Sequence, residues 1–570
     1  MFRIGLSSRY GFLVLAMCVG LTVGFSVVAF LELIEWIQGL FFTEGSEKRF
    51  ATIASQSPWW VILLAPALGG LIVGLLITWL IPEKRSHGVA DVIEASALKG
   101  GKISAKTGLV SILAASTALG SGASVGREGP AVHMGATWGS WLAKRLNLTS
   151  THTLTLVGCG VAAAVAGSFN APIAGVFFAL EVVLGQYALK VFAPVVIASV
   201  SSTVVCRQLL GDSPAFALPE QTTTSLWEVF AFGLLGVTAA LLGKALIESI
   251  ESVQSRWAKT QVPGWLRPGL AGLAIGGMGI FYPHILSVGY EATNLALTES
   301  LTLFMLAALL LTKFIATALA LGSGMAGGIF SPSLFLGAML GGIFWHIAQP
   351  VAPEFATNQA GYAIVGMASV AAAVLGAPIS TLLIVFELTA DYRLTIAVMI
   401  GTTIANLILQ QLGHRSFFHW QLKMRGVSIN YDRNELLLHS HSIEPLISQQ
   451  YGLEAPDHSL QQGSQTLMAS PHYVLLLVDD NGAFSGSVRS KVLMTELLRS
   501  GQNTALQEIA SPRDVCVLPN ASLQTVLAMM SKHDMNYLPV VKDLQTYQLV
   551  GIVYQVDVLD YMNHSLVEED

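Results

Sequence analysis

The sequence predicts an all-α polytopic membrane protein, built from two related halves of broken helices, with a small α/β domain at its C-terminus. Three observations predict it. The 570-residue chain is 53% hydrophobic and only 12% charged, with a mean hydropathy of +0.61, which is too apolar for a soluble protein of this size. Two motifs rich in glycine and proline recur at a nearly constant spacing. After Arg425 the composition turns polar.

In chain order, Phe12 to Leu31 and Trp59 to Ile81 carry no charge, and each is long enough to cross about 30 Å of hydrocarbon as a helix. The first runs on into ELIEWIQGLFF without a small-residue cleavage site, so it reads as a retained span and not a signal peptide. Further uncharged stretches lie within Leu148 to Val205 and Phe230 to Leu246, at Phe314 to Pro353 (broken only by His346) and at Leu394 to Leu412. Ten or more membrane helices are expected. Arg3 and Arg9 precede the first span without an acid, and GHRSFFHWQLKMRG follows the last. The positive-inside tendency therefore puts both ends in the cytoplasm. Four cysteines without pair spacing give neither a disulfide framework nor a zinc site, and no basic run points to nucleic acid.

GSGASVGREGPAVHMGA (120–136) and GSGMAGGIFSPSLFLGA (322–338) are identical at seven of seventeen positions at an offset of 202, where chance composition gives about one or two. APIAGVFFALE (171–181) and APISTLLIVFE (377–387) match at an offset of 206, each with a proline nine residues before a glutamate. The membrane part is therefore duplicated. In transporters such repeats usually enclose the substrate site, and Gly/Pro interruptions at equivalent places point to it. The glycines break one helix, and Pro130 and Pro332 start the next, where a missing N–H costs nothing. A helix N-terminus inside the membrane presents free N–H groups and a positive dipole end, which together favour an anion. The competing reading is that the glycines merely permit close helix packing. It explains the glycines but not the paired prolines.

Arg127 and Glu128 lie in this break. An ionisable residue at membrane depth is a functional candidate, because it needs a partner or water there. Glu128 sits just before the helix that begins near Pro130, and a carboxylate there mimics an anion. Ionised, it fills the anion site; protonated or displaced, it vacates it. That makes Glu128 a candidate gate. The structural alternative is a buried pair of Arg127 with Glu128 or Glu181 that only fixes helix positions. Arg127 itself is expected to shape the local potential or to pair with a structural acid.

In the polar tail, HYVLLLVDDNGAFSGSV and MNYLPVVKDLQTYQLVGIVYQVDVLDYM share one plan of strand, acidic turn, strand and helix. Two copies of a small α/β unit are expected at roughly 436–500 and 505–562. The resulting domains are 1–425, with halves of about 1–215 and 216–425, and 426–570.

These motifs together resemble the ClC family of chloride channels and chloride/proton antiporters, over nearly the whole chain. GREGP (126–130) is similar to the segment carrying that family's gating glutamate. GGIFSP (327–332) looks like its segment donating backbone amides to the central chloride, and FNAPIAGVFFALE (169–181) also matches. The resemblance implies two inverted halves of tilted, broken helices and a homodimer with one pore per subunit. It makes Glu128 the external gate, places Gly126, Arg127 and Gly129 at the anion path beside it, and turns the amides of Ile329 and Phe330 toward the central anion. The transported ion is then chloride, with no required cofactor and no metal, and the setting is a bacterial plasma membrane.

Three departures refine this. The first anion-binding motif of the family often reads G-S-G-I-P; the best match here is SHGVADVIEA, which puts His87 in place of the serine. Histidine can donate a neutral N–H or gain a charge as pH falls; the alternative is an interfacial histidine following Glu83, Lys84 and Arg85. Phe418 stands where many members have a tyrosine hydroxyl on the central anion, with His419 as the neighbouring polar alternative. Val182 stands where antiporters commonly have a second glutamate for protons from the cytoplasm. Valine carries no proton, which favours passive conduction over exchange, although Glu181 or a water chain is a conceivable substitute. The tail resembles paired CBS domains. Asp557 holds the position that often contacts a nucleotide ribose, but Tyr554 and Val492 replace other expected polar groups, so a dimerising lid competes with adenine-nucleotide binding.

A CBS-containing cation transporter is the alternative from another class. It requires several carboxylates or carbonyl-rich motifs in the spans, where this chain presents helix N-termini. An enzyme is not expected: there is no H-E-x-x-H, no P-loop lysine and no G-x-S-x-G elbow.

Overall fold

The computed structural model describes residues 9–567 except 186, 188, 213–227, 299, 352, 354–357, 390, 428–441, 471 and 500–502. Arg3, the junction of the halves near 215 and the expected start of the first tail copy at 436 lie outside the described residues. The chain divides into two units, Met1–Ile429 and Asn430–Asp570.

The first unit opens with α1 (Arg9–Phe41), α2 (Phe50–Gln56), α3 (Trp59–Leu80), α4 (Val89–Leu98), α5 (Ala105–Gly120) and α6 (Glu128–Arg145). It continues through α7 (Ser150–Phe169), α8 (Pro172–Phe178), which runs on as a π-helical turn over Ala179–Leu184, and α9 (Leu189–Leu210). The second half repeats much of the order: α10 (Glu228–Ala258), α11 (Arg267–Phe281), α12 (Tyr290–Leu297), α13 (Leu303–Gly322), α14 (Phe330–Val351), α15 (Gln359–Leu375), α16 (Pro378–Thr389), α17 (Tyr392–Gln411) and the short α18 (Phe417–Met424).

Among the described residues, eight helices are long and apolar enough to cross a membrane, and four apolar helices of 10–17 residues accompany them. The uncharged run from Phe314 to Pro353 is divided by the turn between α13 and α14. That turn and its counterpart between α5 and α6 arise the same way. Gly122 (φ +97°) and Gly324 (φ +88°), 202 residues apart, take the left-handed conformation just beyond each helix end, a place where a Cβ would be strained.

The two halves are packed by equivalent contacts. A Cβ on Gly135 would meet the Gly160 carbonyl oxygen at 2.1 Å, and one on Gly337 would meet that of Gly366 at 2.3 Å. Backbone touches backbone where α6 crosses α7 and where α14 crosses α15, which only small residues allow. The packing reading of the motif glycines therefore holds for Gly135 and Gly337. Residues of α15 are buried throughout, and the apolar window of α7 is 89% buried, so these two helices face protein and form the centre of the unit.

In the second unit, β1 (Gly452–Glu454), α19 (Leu460–Ala469), β2 (Val474–Val478), β3 (Phe484–Arg489) and α20 (Ser490–Arg499) are followed by α21 (Leu523–His533), β4 (Tyr537–Val541), β5 (Leu549–Tyr554) and α22 (Gln555–Val567). β1 pairs parallel with β2, and β2 antiparallel with β3. The second copy repeats this pattern: Val517 bridges parallel to Val540, and β4 pairs antiparallel with β5. One apolar cluster joins the copies, with Val474, Leu476 and Phe484 of the first beside Leu538, Val540 and Ile552 of the second.

Candidate functional site

The two Gly-rich turns meet at equivalent residues. Gly126 donates its N–H to the Gly328 carbonyl at 2.7 Å, and Gly328 donates to the Gly126 carbonyl at 2.6 Å, in an antiparallel bridge. These positions are 202 residues apart, so matched residues of the two halves meet, with their chains running in opposite directions. A Cβ on Gly328 would lie 2.8 Å from the Gly129 nitrogen, and one on Gly126 would lie 2.7 Å from a Glu128 carboxylate oxygen. Only glycine lets the strands approach this closely while leaving room for that carboxylate.

Glu128 is the first residue of α6 but bonds to the other half. Its carboxylate accepts from the Ser331 N–H at 3.4 Å and from the Ser331 hydroxyl. The side chain thus lies over the first turn of α14, where free amides and the helix dipole favour negative charge. It is 3% exposed. Ser331 was not singled out in the sequence; its place between Phe330 and Pro332, in the first turn of a helix that begins inside the membrane, was the available signal.

Beneath the crossing lies a cavity of about 40 Å³ lined by His87, Glu128, Gly129, Ile329, Phe330 and Phe418, with Asp91, Gln421 and Arg425 among its other residues. The cavity therefore collects residues from α6, α14, α18 and the start of α4. Gly126 and Arg127 are not part of its lining: Gly126 is consumed by the bridge, and Arg127 points elsewhere.

Arg127 pairs with Glu47, on the 3-10 turn Glu47–Arg49, and not with Glu128 or Glu181. It also donates to the Ser168 carbonyl at 3.0 Å and lies 5.1 Å from the Tyr290 ring centroid. Lys313, 0% exposed, holds the segment before Tyr290 by donating to the Ile285 and Ser287 carbonyls at 2.9 and 2.8 Å. Both Glu47 and Lys313 escaped the sequence reading, since an acid in TEGSEKRF looks like a loop residue and nothing local says that it is buried.

His87 lines the cavity, but its nitrogens face carboxylates. Nδ1 lies 3.1 Å from Asp91 and Nε2 3.5 Å from Glu83, and the ring sits 5.5 Å from that of His133. Phe418 is buried and apolar, so this wall offers no hydroxyl. His419 is not among the residues lining the cavity; its Nδ1 is 2.9 Å from the Ser416 hydroxyl at the start of α18.

Val182 lies in the π-helical turn, 6% exposed. Glu181 beside it caps the other half: it accepts from Ile379 N–H at 3.1 Å, Ser380 N–H at 2.8 Å and the Ser380 hydroxyl. Glu387 does the reverse, accepting from Ile173 N–H at 2.9 Å and Ala174 N–H at 2.7 Å. Every member of this reciprocal pair is displaced by 206. Each carboxylate thus satisfies the N-terminus of the opposite helix.

The sequence profile of the voltage gated chloride channel family matches residues 69–410. The chain belongs to the ClC family. A CBS domain profile matches residues 506–564. A ClcB-like protein of Ralstonia nicotianae is 33% identical over 393 residues, covering 68% of this chain and 91% of the relative. The voltage-gated ClC-type chloride channel ClcB of Escherichia coli is 30% identical over 412 residues, covering 71% and 97%. Among solved structures, a slow cyanobacterial Cl-/H+ antiporter superposes with a TM-score of 0.66 at 22% identity, covering 74% of this chain and 98% of its own. At that identity the likeness speaks for the fold. This ClC protein is a multi-pass membrane transport protein with a C-terminal CBS region.

In that region Asp557 lies half-buried in the first turn of α22, following β5. The Tyr554 hydroxyl is bonded to the Gln450 carbonyl, and the Tyr554 ring lies 4.5 Å from His472. Val492 is in α20 and is partly buried.

Proposed function

We propose that this ClC protein is a passive, glutamate-gated chloride channel, with Glu128 as its gate. The observation that carries the reading is the carboxylate of Glu128 lying on the N-terminal turn of α14 while lining the same cavity as Ile329 and Phe330. A side-chain anion on a helix N-terminus competes with a free anion for the same donors. When it leaves, chloride takes its place.

Passive conduction is supported by the groups near Val182. Valine has no proton to give, and Glu181 is committed as a cap on α16 by three donors. The alternative is chloride/proton exchange. Purified protein in liposomes separates the two: impose a chloride gradient, clamp the voltage with a potassium ionophore and record internal pH while chloride moves. Chloride flux without coupled proton movement is expected. Protons moving against their own gradient would overturn the channel reading and require a proton route other than Val182.

His87 gives a second test. Because its ring lines the cavity, His87→Ala is expected to change the relative flux of chloride and larger anions; identical selectivity would confine His87 to an interfacial role. We further place the protein in a bacterial plasma membrane, with cytoplasmic termini, as a homodimer with one pore per subunit. For the tail, a dimerising role is favoured over adenine nucleotide at Asp557, because Tyr554 is already engaged with Gln450.

A further inference from the structure

An anion path with a buried acid at its wall needs explaining. Asp91 lines the cavity in the first turn of α4, with its side chain 7% exposed. An ionised carboxylate there repels an entering anion unless its charge is taken up by donors. Four groups take it up. The Gly88 N–H donates to it at 2.9 Å, His87 Nδ1 lies at 3.1 Å, Arg85 pairs with it, and Arg425 Nη1 lies at 3.1 Å.

Three of these precede α4 by a few residues, and the Gly88 bond alone suffices to cap that helix. Arg425 is different. It comes from 334 positions away in the sequence, one residue beyond α18, whose first turn carries Phe418 into the cavity. Arg425 also lies 3.6 Å from Glu94, again on α4. Both acids facing this guanidinium therefore belong to the His87 wall. A charge-assisted pair of this kind fixes geometry as well as energy.

We propose that Asp91 is a positioning residue that latches α18 to α4 through Arg425 and so sets the width between His87 and Phe418. The inference rests on the reading of the cavity as the anion path and adds what controls the size of anion that passes. With the latch closed, the aperture is held at chloride size. With it open, the end of α18 moves away from α4 and larger anions enter.

The test uses full-length protein in liposomes on a Glu128→Ala background, so that the gate does not limit flux, and compares chloride with nitrate and thiocyanate. Arg425→Gln breaks the latch from α18 and leaves the cap of α4 intact. It is expected to raise the thiocyanate-to-chloride flux ratio about tenfold, the discrimination that a loosened pocket contact is worth. Asp91→Asn is expected to do the same, Asp91→Glu to restore the parental ratio, and the double variant to add nothing to the larger single effect. High flux in Glu128→Ala with an unchanged ratio in Arg425→Gln would overturn the latch alone. Flux in Glu128→Ala no higher than in the unaltered protein would overturn the pore reading, and the latch with it. Should Asp91→Asn fail to fold, Arg425→Gln decides the question by itself.

Discussion

Glu128→Ala is expected to raise chloride flux at neutral pH by roughly tenfold or more, since the hydrogen bonds that now hold the carboxylate in place are charge-assisted and worth about 1.5–3 kcal/mol each. The carboxylate accepts from the amide and the hydroxyl of Ser331. Removing it leaves these donors open to chloride, with no competitor tied to the chain. The same change removes the carboxylate from the proposed gate, so flux is expected to lose its dependence on external pH. Glu128→Gln gives an independent check: it keeps the shape, loses the charge and should resemble the protonated state at every pH. Flux measured against external pH in liposomes decides it. A Glu128→Ala protein with unaltered pH dependence would move the gate elsewhere and leave Glu128 as a tie between the halves.

The second large effect concerns stability. Arg127→Met removes the partner of Glu47, which is 7% exposed. Breaking a buried pair from one side leaves an uncompensated charge and costs about 3–5 kcal/mol. The bond to the Ser168 carbonyl and the contact with Tyr290 are lost as well. The midpoint of thermal unfolding in detergent, followed by size-exclusion after a heat challenge, is expected to fall on the order of 5–10 °C. Glu47→Gln combined with Arg127→Met should recover a large part of the loss, because neither charge is then stranded. A single Arg127→Met variant as stable as the parent would show that water or another donor already compensates Glu47.

Much of the candidate site was legible in local sequence. The repeat offset located the two helix breaks, and the crossing of Gly126 with Gly328 lies within them. Glu128 was picked out by its place in the helix break and Ile329, Phe330, Gly129, His87 and Phe418 by resemblance, and all six line one cavity. Partnerships were less legible. Arg127 was expected to shape the local potential or to pair with a structural acid, and the acid is Glu47, which the sequence did not name. For His87 the sequence named no partner, and its Nδ1 lies 3.1 Å from Asp91 while its buried Nε2 makes no hydrogen bond among the described residues. Asp91 itself carried a signal, an acid three residues after Gly88 at the head of an apolar run, which marks a helix start. That signal says nothing of Arg425.

By itself the sequence determined the membrane setting, the duplication, the places where helices break and the change to an α/β tail. Each of these follows from composition, periodicity or the conformational limits of glycine and proline, which act over a few neighbouring residues. Only the tertiary structure decided what each charge meets: Glu128 the donors of Ser331, Arg127 Glu47, Asp91 Arg425, and Glu181 and Glu387 each the helix N-terminus of the opposite half. These pairs lie about 80 to 330 residues apart. Burial makes each of them obligatory, because a charge or free amide at membrane depth must find a partner. Which partner it finds is settled by how the two halves cross.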